Sequence, residues 1–124
     1  MMIETTSLDF LFAREYDEDN YNCLHLVCEA WKALSGDDIE PYFNGMLATL
    51  ENRKVDAKKR HYFELIKRPK TPCIVQMRNK GQVPHVGLFI DGMVMQITQQ
   101  GVQNQPLEIS TRGFKLVKYY RKKL

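Results

Sequence analysis

Asp91-Gly92 stands between two apolar-rich runs, Pro84 to Ile90 and Met93 to Thr98, and fixes how both must lie. An Asp-Gly pair is the signature of a two-residue hairpin turn, because both turn residues need positive φ. With that turn, Ile90 opposes Met93 and every further pair follows: Gly87 opposes Gln96, and His85 opposes Thr98. Paired residues project to the same side of a sheet. Val86, Leu88, Ile90, Met93, Met95 and Ile97 therefore share one face, wholly apolar, which must be core. The other face carries His85, Gly87, Phe89, Val94, Gln96 and Thr98. On it His85 and Gln96 are diagonal neighbours, roughly 5–8 Å apart at Cβ, and Gly87 leaves the space between them open. A turn longer by one residue would send Gln96 to the opposite face.

The second informative stretch is Tyr21-Asn22-Cys23-Leu24-His25-Leu26-Val27-Cys28-Glu29-Ala30-Trp31. Asn22 is a strong N-cap, its side-chain oxygen able to take an unpaired N–H of the first turn. Leu24, Val27, Cys28, Trp31 and Leu34 recur at helical spacing, and Gly36 is a ready C-cap. Cys23 is then the first residue of a helix. A thiol there lies in the partial positive charge of the helix terminus, which favours the thiolate. A buried cysteine is also ordinary packing, so this stretch alone does not settle its role. An imidazole held through one ring nitrogen by the Gln96 amide keeps the other for a thiol, which supplies the missing half of a Cys–His site. His25, two residues after Cys23, points about 200° away on a helix and cannot serve that thiol. His25, Cys28 and Cys73 read as structural.

The remaining segments set the class. Residues 1–20 mix Leu8, Phe10, Leu11 and Phe12 with an acidic loop and read as a short helix or strand leading to the cap. Tyr16 and Tyr21 precede Cys23 closely, and either hydroxyl could reach a substrate oxyanion or simply anchor the loop. Asp37-Asp38-Ile39-Glu40-Pro41 opens a second helix with Phe43, Met46, Leu47 and Leu50 on its apolar face. Residues 56–68 read as a third, more exposed helix with Ala57, Tyr62, Phe63, Leu65 and Ile66, in which His61 is a surface histidine. From Pro72 the period becomes two: Cys73 to Arg78 is a strand, Asn79 to Gln82 a turn, then the hairpin and a last strand, Phe114 to Arg121. Helices first and an antiparallel sheet after them make an α+β chain.

At 124 residues, 44% hydrophobic, the chain fits one domain, residues 1–124, with a sizeable core. No apolar run approaches the ~20 residues of a membrane span, and the start lacks a basic leader region. Three cysteines argue against a disulfide framework and for reduced thiols in a cytosol. The expectation is synthesis in the cytoplasm without a signal peptide. Net charge is only +3, and the basic runs at 53–70 and 112–123 read first as solvated faces, so nucleic acid is weakly supported as a partner. No cofactor is called for, and no His, Cys, Asp or Glu spacing points to a metal.

Asn22-Cys23 opening a helix, His85-Val86-Gly87-Leu88-Phe89-Ile90, and Met95-Gln96-Ile97-Thr98-Gln99-Gln100-Gly101-Val102 together resemble the NlpC/P60 cysteine peptidases, most closely the short versions encoded in phage tail gene clusters. Thr111-Arg112-Gly113-Phe114 to Tyr120-Arg121 is similar to the family's last strand. The resemblance covers most of Tyr16 to Arg121, apart from residues 37–70. It implies a papain-like fold, Cys23 as nucleophile, His85 as base and Gln96 as the orienting third residue. It also implies an amide bond of a peptidoglycan stem peptide as substrate, in a phage tail or cell-wall setting, with tail proteins as partners. The sequence departs from the family at Asn22-Cys23-Leu24-His25, where Asp-Cys-Ser-Gly is usual, and at Gln96, where His is most frequent. Asn22-Cys23-Leu24-His25 also resembles the Asn-Cys-Glu-His motif of lecithin retinol acyltransferase relatives, but there the catalytic His precedes the Cys. A structural tail component with a relic site and a thiol acyltransferase of the same fold are the alternative readings.

Overall fold

The structure, a computed structural model, describes residues 5–43 and 62–123. It is α+β: one long helix, α1 (Cys23–Ser35), lies against a six-stranded sheet. The strands are β1 (Phe63–Ile66), β2 (Cys73–Arg78), β3 (His85–Ile90), β4 (Met93–Thr98), β5 (Gly101–Pro106) and β6 (Leu116–Lys122), in the order β1-β6-β2-β3-β4-β5 and antiparallel throughout. A 3₁₀ helix, Thr5–Ala13, precedes α1, and a one-turn helix, α2 (Leu107–Ser110), follows β5.

The hairpin forms in the register its turn dictates. Ile90 pairs with Met93, Phe89 with Val94 and Leu88 with Met95, around Asp91 and Gly92 at φ 48° and 86°. Positive φ at both residues is what a type I′ turn requires, and its twist matches that of the strands. Val86, Leu88, Ile90, Met95 and Ile97 lie under Leu24, Val27, Cys28 and Trp31 of α1, with Leu8 and Leu11 of the 3₁₀ helix closing the layer. The opposite face is not left open. Cys73, Val75, Met77, Phe89 and Val94 form a second buried cluster, capped by Leu107, Phe114, Val117 and Tyr119. The return from β5 to β6 folds over that face, so both sides of the central strands are dry.

Three elements differ from the sequence expectation: one changes type, one is a strand the pattern does not show, and one starts later. The helix expected over 56–68 is instead, in its described part, a 3₁₀ residue at Tyr62 and the strand β1. The tertiary setting decides this: Phe63 packs edge-on against Trp31, ring centroids 5.8 Å apart, and Glu64 pairs with Arg121 across β6. Tyr62 reinforces it, accepting from Trp31 Nε1 at 3.2 Å and donating to Asp37 at 2.8 Å. Second, β5 carries the polar run Gln103-Asn104-Gln105 after Val102, which has no strand pattern of its own and is extended because it pairs along the whole of β4. Third, the closing strand starts at Leu116 rather than Phe114, whose N–H is still bonded to Thr111 in the preceding turn. Of residues 1–20, the described part, 5–20, forms the 3₁₀ helix and a loop closed by an Asp17–Tyr21 bridge. Of the second expected helix only the 3₁₀ turn Glu40–Phe43 is described. Met46, Leu47, Leu50, Ala57 and His61 lie outside the described residues.

Candidate active site

β2 ends at Arg78, β3 begins at His85, β4 ends at Thr98 and β6 begins at Leu116, so these four termini share one end of the sheet. Cys23, the first residue of α1, lines a cleft of about 250 Å³ there, together with Tyr16, Val83, His85, Ile97, Thr98 and Gln99.

The helix start is tightly specified. Asn22 is fully buried, extended at φ −96° and ψ −171°, and its side-chain oxygen accepts from Leu24 N at 3.0 Å and His25 N at 3.4 Å. Asn22 Nδ2 donates to the Glu18 carbonyl, tying the cap to the acidic loop. The backbone N–H of Asn22 donates to His25 Nδ1 at 3.0 Å, closing a capping box in which an imidazole stands where Glu or Gln is usual. His25 is thus a cap residue, a structural role for a side chain whose helical phase turns it from the thiol. At the other end Gly36, at φ 80°, donates its N–H back to Lys32.

His85 and Gln96 meet across the hairpin, with His85 Nε2 and Gln96 Oε1 2.6 Å apart. An amide oxygen only accepts, so the bond places the proton on Nε2 and makes Nδ1 the basic nitrogen of the neutral ring. The close approach depends on Gly87. A Cβ there would stand 2.6 Å from Val94 Cγ1, 3.1 Å from Met95 O and 3.4 Å from Gln96 Cβ. Phe114 lies nearly parallel to the imidazole, 13° between planes and 6.4 Å between centroids. Gln96 is 6% exposed, so its bond to the ring is largely shielded from competing water. The sequence pattern places Phe114 only in the last strand; no local signal marks a residue that reaches the site through a turn.

The two tyrosines part company. Tyr16 lines the cleft. Tyr21 stacks on His25 at 5.9 Å and donates its hydroxyl to Glu29 Oε1 at 2.5 Å. Glu29 also receives Arg14 through two bonds, Nε at 3.0 Å and Nη2 at 2.7 Å. The Arg14 guanidinium holds the Glu29 carboxyl below the usual range, against the effect of partial burial, while burial and the Glu29 bond push the Tyr21 hydroxyl far up. Tyr21 therefore fastens the loop to α1 rather than facing the cleft.

Cys28 and Cys73 are buried in the two clusters. Burial pushes the Cys28 thiol well above its ordinary range, with Glu40 and Asp38 adding to it, and pushes Cys73 up to about 11. Both are protonated near neutrality and suited to packing. Among the described residues no group of three or more His, Cys, Asp or Glu could hold a metal ion, and no helix is long and apolar enough to cross a membrane. No protein-family model matches the chain, and no curated protein matches it.

Proposed function

We propose that the protein is a cysteine hydrolase of the NlpC/P60 kind, with the papain-like variant of the α+β fold, cutting an amide bond in peptidoglycan stem peptides. The observation that carries this reading is the convergence of a helix-initiating Cys23 and an amide-oriented His85 on one cleft. The resemblance of Asn22-Cys23, His85-Val86-Gly87 and Gln96 to that family supplies the substrate class.

The chemistry follows from the residues. His85 Nδ1 takes the Cys23 proton, and the sulfur attacks the amide carbonyl carbon, forming the C–S bond. The carbonyl oxygen becomes an oxyanion at the helix terminus, where the Cys23 backbone N–H and the Tyr16 hydroxyl are the proposed donors. Collapse breaks the C–N bond, and His85 returns its proton to the leaving amine. Water, deprotonated by His85, then attacks the thioester, releasing the acid and restoring the thiol. Gln96 holds the ring throughout and, being neutral, adds no charge to the imidazolium. Phage tail proteins are the proposed neighbours in the particle.

Digestion of purified Gram-negative sacculi with wild type and Cys23→Ala, read by mass spectrometry, tests the reading. New muropeptides that vanish in the variant are expected. No product on any stem peptide, with a Cys23 no more reactive to iodoacetamide than Cys28 or Cys73, would move the assignment to a relic structural protein. A stable acyl-Cys23 without released product would make it an acyltransferase.

A further inference from the structure

The cleft end of the sheet gathers four cations that the hydrolytic chemistry does not use. Arg78 ends β2, Lys80 lies in the turn after it, and Arg112 and Lys115 flank the Gly113-Phe114 pair before β6. Asn79 clips the two segments together, donating through Nδ2 to Gly113 O at 3.0 Å and accepting from Lys115 N at 2.9 Å. All four are exposed, and among the described residues none of them enters an ion pair. Arg14, Arg121 and Lys122 each sit on a carboxylate. Lys32, Lys67, Arg68, Lys70, Lys118 and Lys123 share with the four the lack of an ion pair among the described residues; what sets the four apart is their place at the cleft end. The clipped segments border the site: Val83 of the connection after β2 lines the cleft, and Phe114 stacks on His85. Tyr16, which also lines the cleft, is embedded in Glu15, Asp17, Glu18 and Asp19, all of them exposed.

We infer that this basic rim is a substrate subsite for carboxylate groups, and that the cleft takes a peptide with its anionic side toward His85 and Phe114. Unneutralised cations fixed beside a cleft attract anions to it and orient them. The acidic loop around Tyr16 argues for a short, carboxylate-bearing peptide over nucleic acid, since a continuous polyanion running along the cleft would meet four negative charges there. The inference rests on the cleft being a peptide site, and deepens that reading by giving the bound chain a direction.

The test uses binding in the full-length Cys23→Ala variant, so it does not need turnover. The probes are purified sacculi, native and with their carboxylates converted to amides, read as the fraction of protein that sediments. Native sacculi should retain the protein at least about fivefold better than amidated ones at ~50 mM salt, and the difference should fade by ~500 mM. Charge reversal at all four positions (Arg78→Glu, Lys80→Glu, Arg112→Glu, Lys115→Glu) should remove the difference, with an unchanged thermal melt showing that the fold is kept. Should that variant not fold, Lys80→Glu and Lys115→Glu singly should each give a partial loss. Equal retention by both sacculi, no retention by either, or a reversal variant that behaves as wild type would overturn the inference. So would tighter binding to a single-stranded DNA oligonucleotide than to native sacculi. Charge-dependent retention with no Cys23-dependent product would keep the rim and remove the hydrolase; product with charge-independent retention would do the reverse.

Discussion

Gly87→Ala should damage this protein out of proportion to the one methyl it adds. Gly87 does not have positive φ, so the backbone tolerates alanine and the conflict is purely steric. The new Cβ would stand 2.6 Å from Val94 Cγ1, where carbon atoms ordinarily settle at about 3.5–4.0 Å. Val94 is fully buried in the second cluster and has no empty side to swing into. Met95 O, at 3.1 Å, is backbone and cannot yield without moving β4. Overpacking of this kind costs about 1–3 kcal/mol. For a chain of this size that corresponds to a fall in Tm of roughly 3–15 °C. The relief open to the protein is a shift of β4 away from β3, which lengthens the bond between His85 and Gln96. Thermal unfolding of wild type, Gly87→Ala, Val94→Ala and the double variant separates these effects. Val94→Ala removes the atom that the new methyl strikes, so the double variant should be less destabilised than the sum of the singles by at least about 1 kcal/mol. Additive losses, or a Gly87→Ala variant as stable as wild type, would refute the argument that Gly87 is there for close approach.

Gln96→Ala should leave the fold intact and cost about 1–3 kcal/mol of transition-state stabilisation, a rate lower by roughly 5- to 150-fold against a Cys23-dependent substrate. Gln96→His should restore activity or improve it, and unchanged kcat/KM in Gln96→Ala would show that something other than Gln96 holds His85. Acid should loosen the helix start through Glu29. Its carboxyl is held low in the folded state by Arg14 and Tyr21, so the stability it contributes is present above the unfolded pKa of about 4.3 and is lost as pH falls through the lower folded value. Glu29→Gln should flatten the dependence of Tm on pH over that acidic interval, and an unchanged slope would show that the Arg14–Glu29 pair is energetically idle.

The parts of this protein that local chemistry specifies could be read from the chain. Asn22 and Gly36 bracket α1 because a cap needs only the residues of its own turn, and Cys23 at the first helical position follows from them. Asp91-Gly92 fixes the hairpin register, and the register alone puts His85, Gly87 and Gln96 on one face. What pairing and packing decide could not be read that way. Phe63 to Ile66 sits among charges that suit a helix, yet β6 and Trp31 hold it as a strand. Gly101 to Pro106 is mostly polar, with Val102 its only large apolar residue, and is extended because β4 offers its edge. The face of the hairpin carrying Phe89 and Val94 is core because the return to β6 folds over it. Tyr16 and Tyr21 are equivalent in sequence, five residues apart beside the same cap; only the Arg14–Glu29 pair, fifteen residues apart along the chain, draws one hydroxyl away and leaves the other tyrosine at the cleft. Neighbours in sequence determine caps and turns, because those bonds close within a few residues. Partners distant in sequence determine which strands exist and which side chains face the site, because those contacts form only once the sheet has brought them together.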